Sequence, residues 1–302
     1  MSSSVLVAPG TGKQGQAVCR ELVRRGHSVR ALARNPSSPA AQALAELGVS
    51  IYAASLDEKE AVRSSLQGID AVFLSVPAHP VNEVRFATNV IEAAEEAGVQ
   101  QLVYASVARA GEHESFPGWK GDDPSAHPMS WYWLNKAAIE ARVRGTSIPA
   151  FTILRPAFFM SNFAAPDCEF MFPGLSEKHQ LRLAYRPDTR LHLIDVADIA
   201  KFAASSFENP AGWAGKAVPL AAEALTGEEL AQRLSDATGK AVRAVFISDD
   251  EAAQLKAQGH RAMDAQIWQR EVGYGVDVDE ARGHGIPLTT MADMLRRDGA
   301  GW

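Results

Sequence analysis

The stretch VLVAPGTGKQGQAV, Val5–Val18, joins a short apolar run to a glycine-rich turn and then to an amphipathic segment. Gly10, Gly12 and Gly15 have G-x-G-x-x-G spacing between a predicted strand and a predicted helix. Glycines let the main chain turn tightly and approach a diphosphate, and a helix N-terminus offers unpaired N–H groups. The stretch predicts a dinucleotide-binding turn formed by Gly10, Thr11, Gly12, Lys13, Gln14 and Gly15. The alternative is a tight strand-to-helix turn that holds no ligand.

Strand-like runs alternate with amphipathic stretches through the first half of this 302-residue chain. The predicted strands are Val5–Ala8, Val29–Ala33, Val49–Ala53, Ala71–Val76, Gln101–Ser106 and Phe151–Leu154. The predicted helices are Gln14–Arg25, Ala40–Leu47, Glu58–Leu66, Glu83–Ala97 and Tyr132–Arg144. Strands separated by helices need crossover connections, so the pattern predicts a parallel sheet covered on both faces. The predicted fold class is α/β, a Rossmann-type doubly wound sheet that binds ligands at the carboxyl ends of its strands.

The second half of the chain is less regular. LHLIDVADIA (191–200) is typical of a strand that runs into a helix, and TGEELAQRLSDATGK (226–240) is typical of a capping-box helix with a glycine stop. These patterns predict a smaller α+β C-terminal lobe. The predicted domains are 1–155, which binds the nucleotide, and 156–302, with 190–222 returning to the first sheet.

Composition excludes several classes of protein. The 30 basic and 36 acidic residues give a net charge of −6 without long basic runs, which argues against a nucleic-acid partner. Cys19 and Cys168 have no metal-type spacing, so we expect reduced thiols and no metal site. No run of 18 apolar residues and no signal peptide are present, so we expect a cytoplasmic protein without a membrane span.

The end of the second predicted strand discriminates between nicotinamide cofactors. NAD-binding folds usually carry an acidic residue there, whereas this chain has Ala33 followed by Arg34. A guanidinium group pairs well with phosphate oxygens, so Arg34 predicts recognition of a 2′-phosphate and hence NADP(H). The alternative is a surface arginine at a strand end.

Read together, these residues resemble the NmrA-like family, atypical members of the extended short-chain dehydrogenase/reductase superfamily. The stretches that carry the resemblance are VLVAPGTGKQGQAV, VRALARNP, VFLSVP, QLVYASV, TILRPAFFMSNF, LHLIDVADIA and TGEELAQRLSDATGK. The resemblance implies a Rossmann domain followed by a smaller substrate lobe. It also implies one of two roles, since some members are NADPH-dependent reductases and others are redox-responsive regulators.

The chain departs from the family pattern at two places. Pro9 and Gly10 stand where the family's G-A-T-G-x-x-G turn has glycine and alanine, and proline removes one N–H donor. Ala54-Ser55 stands where the family has Gly-Asp after the third strand. The resemblance then implies that Ser55 contacts the adenine, and it adds Ser75, Val76, Lys136, Pro156, Phe158 and Phe159 to the residues that bind the cofactor.

Reductases of the wider superfamily use a Tyr-x-x-x-Lys pair on a helix and a serine at the end of the preceding strand. The resemblance implies that Tyr132, Lys136 and Ser106 are these catalytic residues. Spacing of four places the pair on one helical face, where the lysine charge favours loss of the tyrosine proton. The alternative for Tyr132 is packing against Trp131 and Trp133.

The RPAFFMSNF run follows the sixth predicted strand. The resemblance implies that Pro156–Phe159 borders the nicotinamide and that Phe158, Phe159, Met160 and Phe163 line a substrate pocket. The alternative is hydrophobic core. The long loop between the fifth strand and Tyr132, which contains His113 and His127, is typical of a lid or binding loop.

Two functions follow. The first is an NADPH-dependent reductase that acts on a carbonyl, an imine or an activated double bond of a small apolar or aromatic molecule. The second is a non-catalytic NADP(H)-binding regulator that senses redox state through a protein partner. A Tyr-x-x-x-Lys pair favours the enzyme, because a regulator needs no proton donor.

Overall fold

A computed structural model describes residues 2–121, 127 and 129–302, which form two compact units. The first unit consists of Met1–His113, Ser130–Arg155 and Val196–Val218. The second consists of Glu114–Met129, Pro156–Asp195 and Pro219–Trp302. In this division the described residues between 114 and 129 group with the second unit, and 196–218 groups with the first.

The strands of the described residues belong to three sheets. They are β1 (Ser4–Ala8), β2 (Ser28–Ala33), β3 (Ser50–Ala53), β4 (Ala71–Leu74), β5 (Gln101–Ala105), β6 (Ala150–Pro156), β7 (Phe158–Phe159), β8 (Gln180–Leu183), β9 (Leu191–Ile194), β10 (Ala217–Leu220), β11 (Glu223–Leu225) and β12 (Arg243–Phe246). In the first half of the chain these bounds lie close to the predicted ones.

The helices connect the strands. They are α1 (Lys13–Arg24), α2 (Pro39–Glu46), α3 (Lys59–Ser65), α4 (Glu83–Glu96), α5 (Ser130–Arg144), α6 (Asp167–Met171), α7 (Leu175–Lys178), α8 (Val196–Glu208), α9 (Pro210–Trp213), α10 (Gly227–Thr238), α11 (Asp249–Ala257), α12 (Ala262–Glu271), α13 (Val278–Gly283) and α14 (Met291–Asp298). Short 3-10 turns occur at His113–Ser115 and Met160–Phe163.

The large sheet has the strand order β10-β6-β5-β4-β1-β2-β3, and the pairs from β6 through β3 are parallel. Val5 of β1 is in register with Val29 of β2 on one side and with Ala71 of β4 on the other. The chain therefore winds outward in both directions from β1. This arrangement confirms the predicted doubly wound fold and creates a crevice at the carboxyl ends of β1, β2 and β4.

Helices cover both faces of the large sheet, so its central strands are apolar on both sides. β4, with the sequence AVFL, is buried at every position. α1 packs against α8 and has Val18, Cys19 and Leu22 among its buried residues, while α4 packs against α3 and α5. Burial raises the pKa of the Cys19 thiol to about 12, so Cys19 is a protonated core residue.

The second unit contains two small sheets, one with the order β11-β9-β7 and one that pairs β12 with β8. α10 packs against β8, β12 and α14. Its N-terminus has the predicted capping box, in which the Thr226 hydroxyl accepts from the Glu229 amide and the Glu229 carboxylate accepts from the Thr226 amide. Gly239 ends the helix in the left-handed region with φ 70°.

Two features are absent from residues 2–121, 127 and 129–302. No helix in this part of the chain is both long enough and apolar enough to cross a membrane. No group of three or more His, Cys, Asp or Glu side chains is arranged there to hold a metal ion.

Candidate nucleotide site and catalytic residues

Two glycines of the first turn are required by close packing. The amide of Gly10 donates to the carbonyl of Leu32 over 2.8 Å, and a Cβ on Gly10 would lie 2.4 Å from the Ala31 Cβ. A Cβ on Gly15 would lie 2.1 Å from the carbonyl oxygen of Pro9. Glycine at both positions therefore lets α1 start directly against the ends of β1 and β2.

Gly12 differs from these two glycines because no atom lies within 4 Å of the place that its Cβ would occupy. Gly12 is the N-cap of α1, and the first turn of this helix has neither a side-chain cap nor an acidic residue. Four helices of the second unit are instead capped by Thr226, Ser248, Asp277 and Thr290. The open, uncapped start of α1 fits an anionic ligand, because helix N-terminal amides lack intrahelical partners.

A cavity of about 480 Å³ opens at the carboxyl ends of β1, β2, β3 and β4. Its lining includes four residues that the sequence assigns to the cofactor, namely Thr11, Gly12, Arg34 and Ser55. The other lining residues were not assigned to the cofactor from the sequence. They are Pro9, Leu32, Ala54, Leu56, Asp57, Pro77, Ala78, His79 and Phe86. The volume lies within the range of small-molecule sites.

Arg34 is exposed at the end of β2 and faces this cavity. Nearby Asp57 has a lowered pKa, chiefly because Ser55 hydrogen-bonds to its carboxylate and further because of the guanidinium groups of Arg85 and Arg34. A carboxylate thus lies close to the guanidinium that the sequence assigns to a 2′-phosphate. The position of Asp57 in an exposed turn gave no periodic signal by which to find it.

The other residues assigned to the cofactor have different surroundings. Lys13 and Gln14 are half-buried in the first turn of α1. Ser75 is half-buried and its amide donates to the carbonyl of Ala8 over 2.9 Å, while Val76 is buried. Pro156, Phe158 and Phe159 belong to the second unit.

Tyr132 and Lys136 lie one turn apart on α5, as predicted. The Lys136 Nζ is 5.6 Å from the centroid of the half-buried Tyr132 ring, which is within the range of a cation–π contact. Trp131 and Trp133 also meet the Tyr132 ring edge to face, at centroid distances of 5.8 and 5.1 Å. The ring is therefore held by its neighbours as well as contacted by the lysine.

The partner of Lys136 is Glu83, which the sequence analysis did not single out. The Lys136 Nζ lies 2.8 Å from the Glu83 Oε1, and the two side chains are 6% and 0% exposed. Asn135, next to Lys136, donates its side-chain amide to the carbonyl of His79 over 3.2 Å and to the Glu83 Oε2 over 3.4 Å. α5 is thereby tied to the first turn of α4 and to the segment that lines the cavity.

Tyr104 of β5 links the predicted residues electrostatically. Burial raises its pKa well above 10, and the nearby Glu83 and Glu140 carboxylates and Tyr132 raise it further, while the Ser106 hydroxyl opposes them. Ser106 is itself buried at the end of this strand. Ser106 and Tyr132 therefore share one buried neighbour.

A second ionic pair completes this region. Glu140 of α5 accepts from the Nε and Nη2 of Arg155 over 2.9 and 2.6 Å. Glu140 is buried and Arg155 is half-buried. This two-point contact fixes β6 to the helix that carries Tyr132 and Lys136.

The residues assigned to the substrate pocket are mostly buried in the second unit. Met160 and Phe163 are fully buried, Phe158 is 4% exposed and Phe159 is half-buried. Phe163 stacks on Phe172 with ring centroids 4.6 Å apart, and Phe158 meets both rings edge to face. Phe158, Met160 and Phe163 thus contribute to the core of this unit, Phe159 is the member with open surface, and a pocket lined by these residues stays a prediction.

A separate cavity of about 340 Å³ lies within the second unit. Its walls include Phe116, Trp119, His127 and Trp268, with Phe116 and Trp268 in edge-to-face contact at 5.7 Å. Burial lowers the pKa of His127, so its imidazole is neutral at pH 7. Part of the predicted lid loop thus lines an aromatic cavity, and 122–126 and 128 of that loop lie outside the described residues.

The glycine turn and the crevice at the carboxyl ends of the parallel strands define a Rossmann-type α/β protein. The sequence profile of the NmrA-like family matches residues 1–284, and the chain belongs to that family. This membership confirms the resemblance drawn from the sequence.

Similar proteins include oxidoreductases and a regulator. NAD(P)H azoreductase of Xenophilus azovorans is 30% identical over 83% of this chain and 79% of its own length. The crystal structure of the NADPH-dependent quinone oxidoreductase of Escherichia coli, complexed with NADPH, is 25% identical with a TM-score of 0.75, covering 97% of this chain and 99% of that one. NmrA, a negative transcriptional regulator crystallised with NAD, shares the fold at 19% identity and a TM-score of 0.77, covering 98% and 95% of the two chains.

Proposed function

We propose that this protein is an NADPH-dependent reductase that acts on a carbonyl, an imine or an activated double bond of a small apolar molecule. The observation that carries the proposal is the pair on α5, where the Lys136 Nζ lies against the Tyr132 ring. A tyrosine beside a lysine is a proton donor of the kind that carbonyl reduction needs. Relatives that reduce azo compounds and quinones support the same class of reaction.

The residues of the first unit fit a dinucleotide phosphate. The open N-terminus of α1 at Gly12 would hold the diphosphate, and Arg34 would pair with the 2′-phosphate. Ser55 and Leu56 would border the adenine. When bound, NADPH would supply a hydride to the acceptor atom of the substrate.

The proposed reduction balances with one proton from the protein. As the π bond of the substrate is reduced, the Tyr132 hydroxyl donates its proton to the oxygen, nitrogen or carbon atom that gains negative charge. The resulting phenolate is stabilised by the adjacent Lys136 ammonium and regains a proton from solvent. Lys136 in turn keeps its place through Glu83.

We assign planar aromatic acceptors as the favoured class of substrate. Support comes from the relatives whose names give azo compounds and quinones as substrates.

The test is consumption of NADPH with a panel of quinones, azo dyes, aldehydes and cyclic imines. The proposal predicts turnover with at least one aromatic acceptor and a loss of roughly 10²–10⁴ in kcat for Tyr132→Phe, with unchanged NADPH affinity. Tyr52→Phe, at a half-buried tyrosine of β3, is the matched control and retains kcat. Full turnover by Tyr132→Phe contradicts the assigned proton donor.

The regulator remains a second candidate because of one observation: the buried pairing of Lys136 with Glu83 occupies the ammonium that an enzyme would present to the ribose. This candidate predicts a protein partner whose binding changes with the ratio of NADPH to NADP. A pull-down at both extremes of that ratio, combined with no turnover on the acceptor panel, would support it over the enzyme.

A further inference from the structure

Glu83 is a buried carboxylate in surroundings that do not favour a salt bridge formed for stability alone. Its side chain is fully buried on the first turn of α4, with the Lys136 Nζ at 2.8 Å as its cationic partner. Among the described residues, the hydrogen bond to its other oxygen is a long one, 3.4 Å from the Asn135 amide. A buried carboxylate is costly to desolvate, and a buried ion pair seldom adds to stability compared with apolar side chains of the same volume.

The position of Glu83 relates it to the proposed proton donor. Lys136 contacts both the Glu83 carboxylate and the Tyr132 ring, so the three side chains form a row from α4 to α5. Asn135 joins the same turn of α4 to the carbonyl of His79, which lines the nucleotide cavity. Movement of Glu83 would therefore move the ammonium relative to the phenol.

We propose that Glu83 is the positioning residue of the site: it holds the Lys136 ammonium against Tyr132 and offsets the ammonium charge, so that Tyr132 keeps its proton until a substrate is reduced. This inference rests on the proposed function, since it gives Tyr132 the role of proton donor. Glu83 itself touches neither nucleotide nor substrate in this account.

Other charged and titratable groups also face this row. Tyr104 comes from β5, Glu140 from α5 and Arg155 from β6, while His79 precedes α4. Glu140 is matched by Arg155 in a two-point contact, so its charge is compensated separately. Glu83 is thus the carboxylate whose removal changes the net charge beside Lys136 and Tyr132 most directly.

The experiment compares Glu83→Gln with Glu95→Gln, because both remove a carboxylate of α4 that pairs with a cation of α5. Tyrosine labelled with ¹³C at Cζ reports the ionisation of Tyr132 in the nucleotide-free protein, with Tyr132→Phe assigning the signal. In Glu83→Gln the midpoint falls by about one pH unit, a tenfold change in the ionisation constant. In Glu95→Gln the midpoint does not move.

Turnover gives a second readout. For Glu83→Gln the alkaline limb of the kcat profile moves to lower pH by about one unit, while the KM for NADPH changes less than about threefold. Glu83→Asp keeps the charge but shortens the reach, so it lowers kcat about tenfold and leaves the alkaline limb near its original pH. If Glu83→Gln does not fold, this split between rate and pH profile still tests the proposal.

An unchanged Tyr132 midpoint in Glu83→Gln, or an aspartate variant with unaltered kcat, overturns the positioning role. If the wild-type protein turns over no acceptor yet the midpoint shifts as expected, the proposed function fails and the link from Glu83 to Tyr132 stands. If turnover is present and the alkaline limb stays in place, the function stands and the positioning role fails.

Discussion

α4 and α5 are joined by two bridges of the same chemical type in different surroundings. Glu83–Lys136 is almost completely buried, with side chains 0% and 6% exposed. Glu95–Arg142 is partly exposed, at 19% and 27%. Glu95 accepts from Arg142 over 3.1 and 2.5 Å, from the Thr146 hydroxyl over 2.8 Å and from the Ser147 amide over 3.0 Å.

The two bridges differ in the number of hydrogen-bond donors and in burial, and this difference indicates different roles in stability and function. Its many donors, the Arg142 guanidinium first among them, lower the pKa of Glu95 to about 2, so its charged form is held firmly by the folded chain. Glu83 has a similar charge but fewer donors and a larger desolvation cost. We infer that the Glu95 bridge stabilises the fold and that the Glu83 bridge serves the site beside Tyr132.

The largest expected effect comes from removing one half of the buried bridge. Lys136→Met leaves the Glu83 carboxylate buried and unpaired, which lowers the free energy of unfolding by roughly 3–5 kcal/mol. Urea denaturation of Lys136→Met and of the double variant Glu83→Gln/Lys136→Met measures it. The double variant regains most of the stability but none of the activity, and a double variant as unstable as the single one would show that the pair itself stabilises the fold.

The second effect belongs to the partly exposed bridge. Because the pKa of Glu95 is lowered on folding, its stabilisation is present above the unfolded value of 4.5 and is lost as the pH falls toward 2. Glu95→Gln therefore lowers the free energy of unfolding by roughly 2–3 kcal/mol at pH 7. The deficit shrinks between pH 4.5 and pH 2 in urea denaturation followed by circular dichroism. A deficit independent of pH contradicts the assignment.

The third prediction compares two glycines of the first turn that differ in the space around the position of a Cβ atom. Gly15→Ala places a Cβ 2.1 Å from the Pro9 carbonyl oxygen, and such overpacking costs about 1–3 kcal/mol of stability. Gly12→Ala adds a Cβ in open space, so stability changes by about 0.5 kcal/mol while NADPH affinity falls at least about tenfold. Thermal melts with and without NADPH distinguish the two variants. Equal losses of NADPH affinity and of stability in both variants would contradict the assignment of a packing role to Gly15 and a ligand-binding role to Gly12.

The smallest effect tests the geometry of the exposed bridge. Arg142→Lys keeps the charge but loses the two-point contact with Glu95, which costs roughly 0.5–1 kcal/mol because the pair is partly solvated. The cost should diminish in high salt. Activity stays at the wild-type level, and reduced kcat in this variant would mean that both bridges serve the site.

Local sequence patterns determined much of this fold. The glycine spacing, the capping box at Thr226 and the uninterrupted apolar strands each depend on residues close together in the chain, and the structure has all three. Glu83 was missed because its partner comes from another helix. A signal was present, since Glu83 continues the buried face of α4 formed by Ala87, Val90, Ile91 and Ala94.

The substrate side of the site was harder to predict. Apolar residues have the same sequence pattern in a pocket wall as in a core, so the run from Phe158 to Phe163 could not be divided between the two from sequence alone. The structure buries Met160 and Phe163 and leaves Phe159 partly open. Asp57, which lies near Arg34, could not be predicted as a site residue either, because the sequence of an exposed turn has no periodicity.

The proposed function depends most on the binding of a dinucleotide with a 2′-phosphate by the first turn and Arg34. Isothermal titration calorimetry of the wild-type protein and of Arg34→Ala, each with NADPH and with NADH, tests it most directly. We predict that wild type binds NADPH at least about tenfold more tightly than NADH and that Arg34→Ala abolishes this preference. Equal affinity of the wild type for both nucleotides, or no heat with either, would contradict the account.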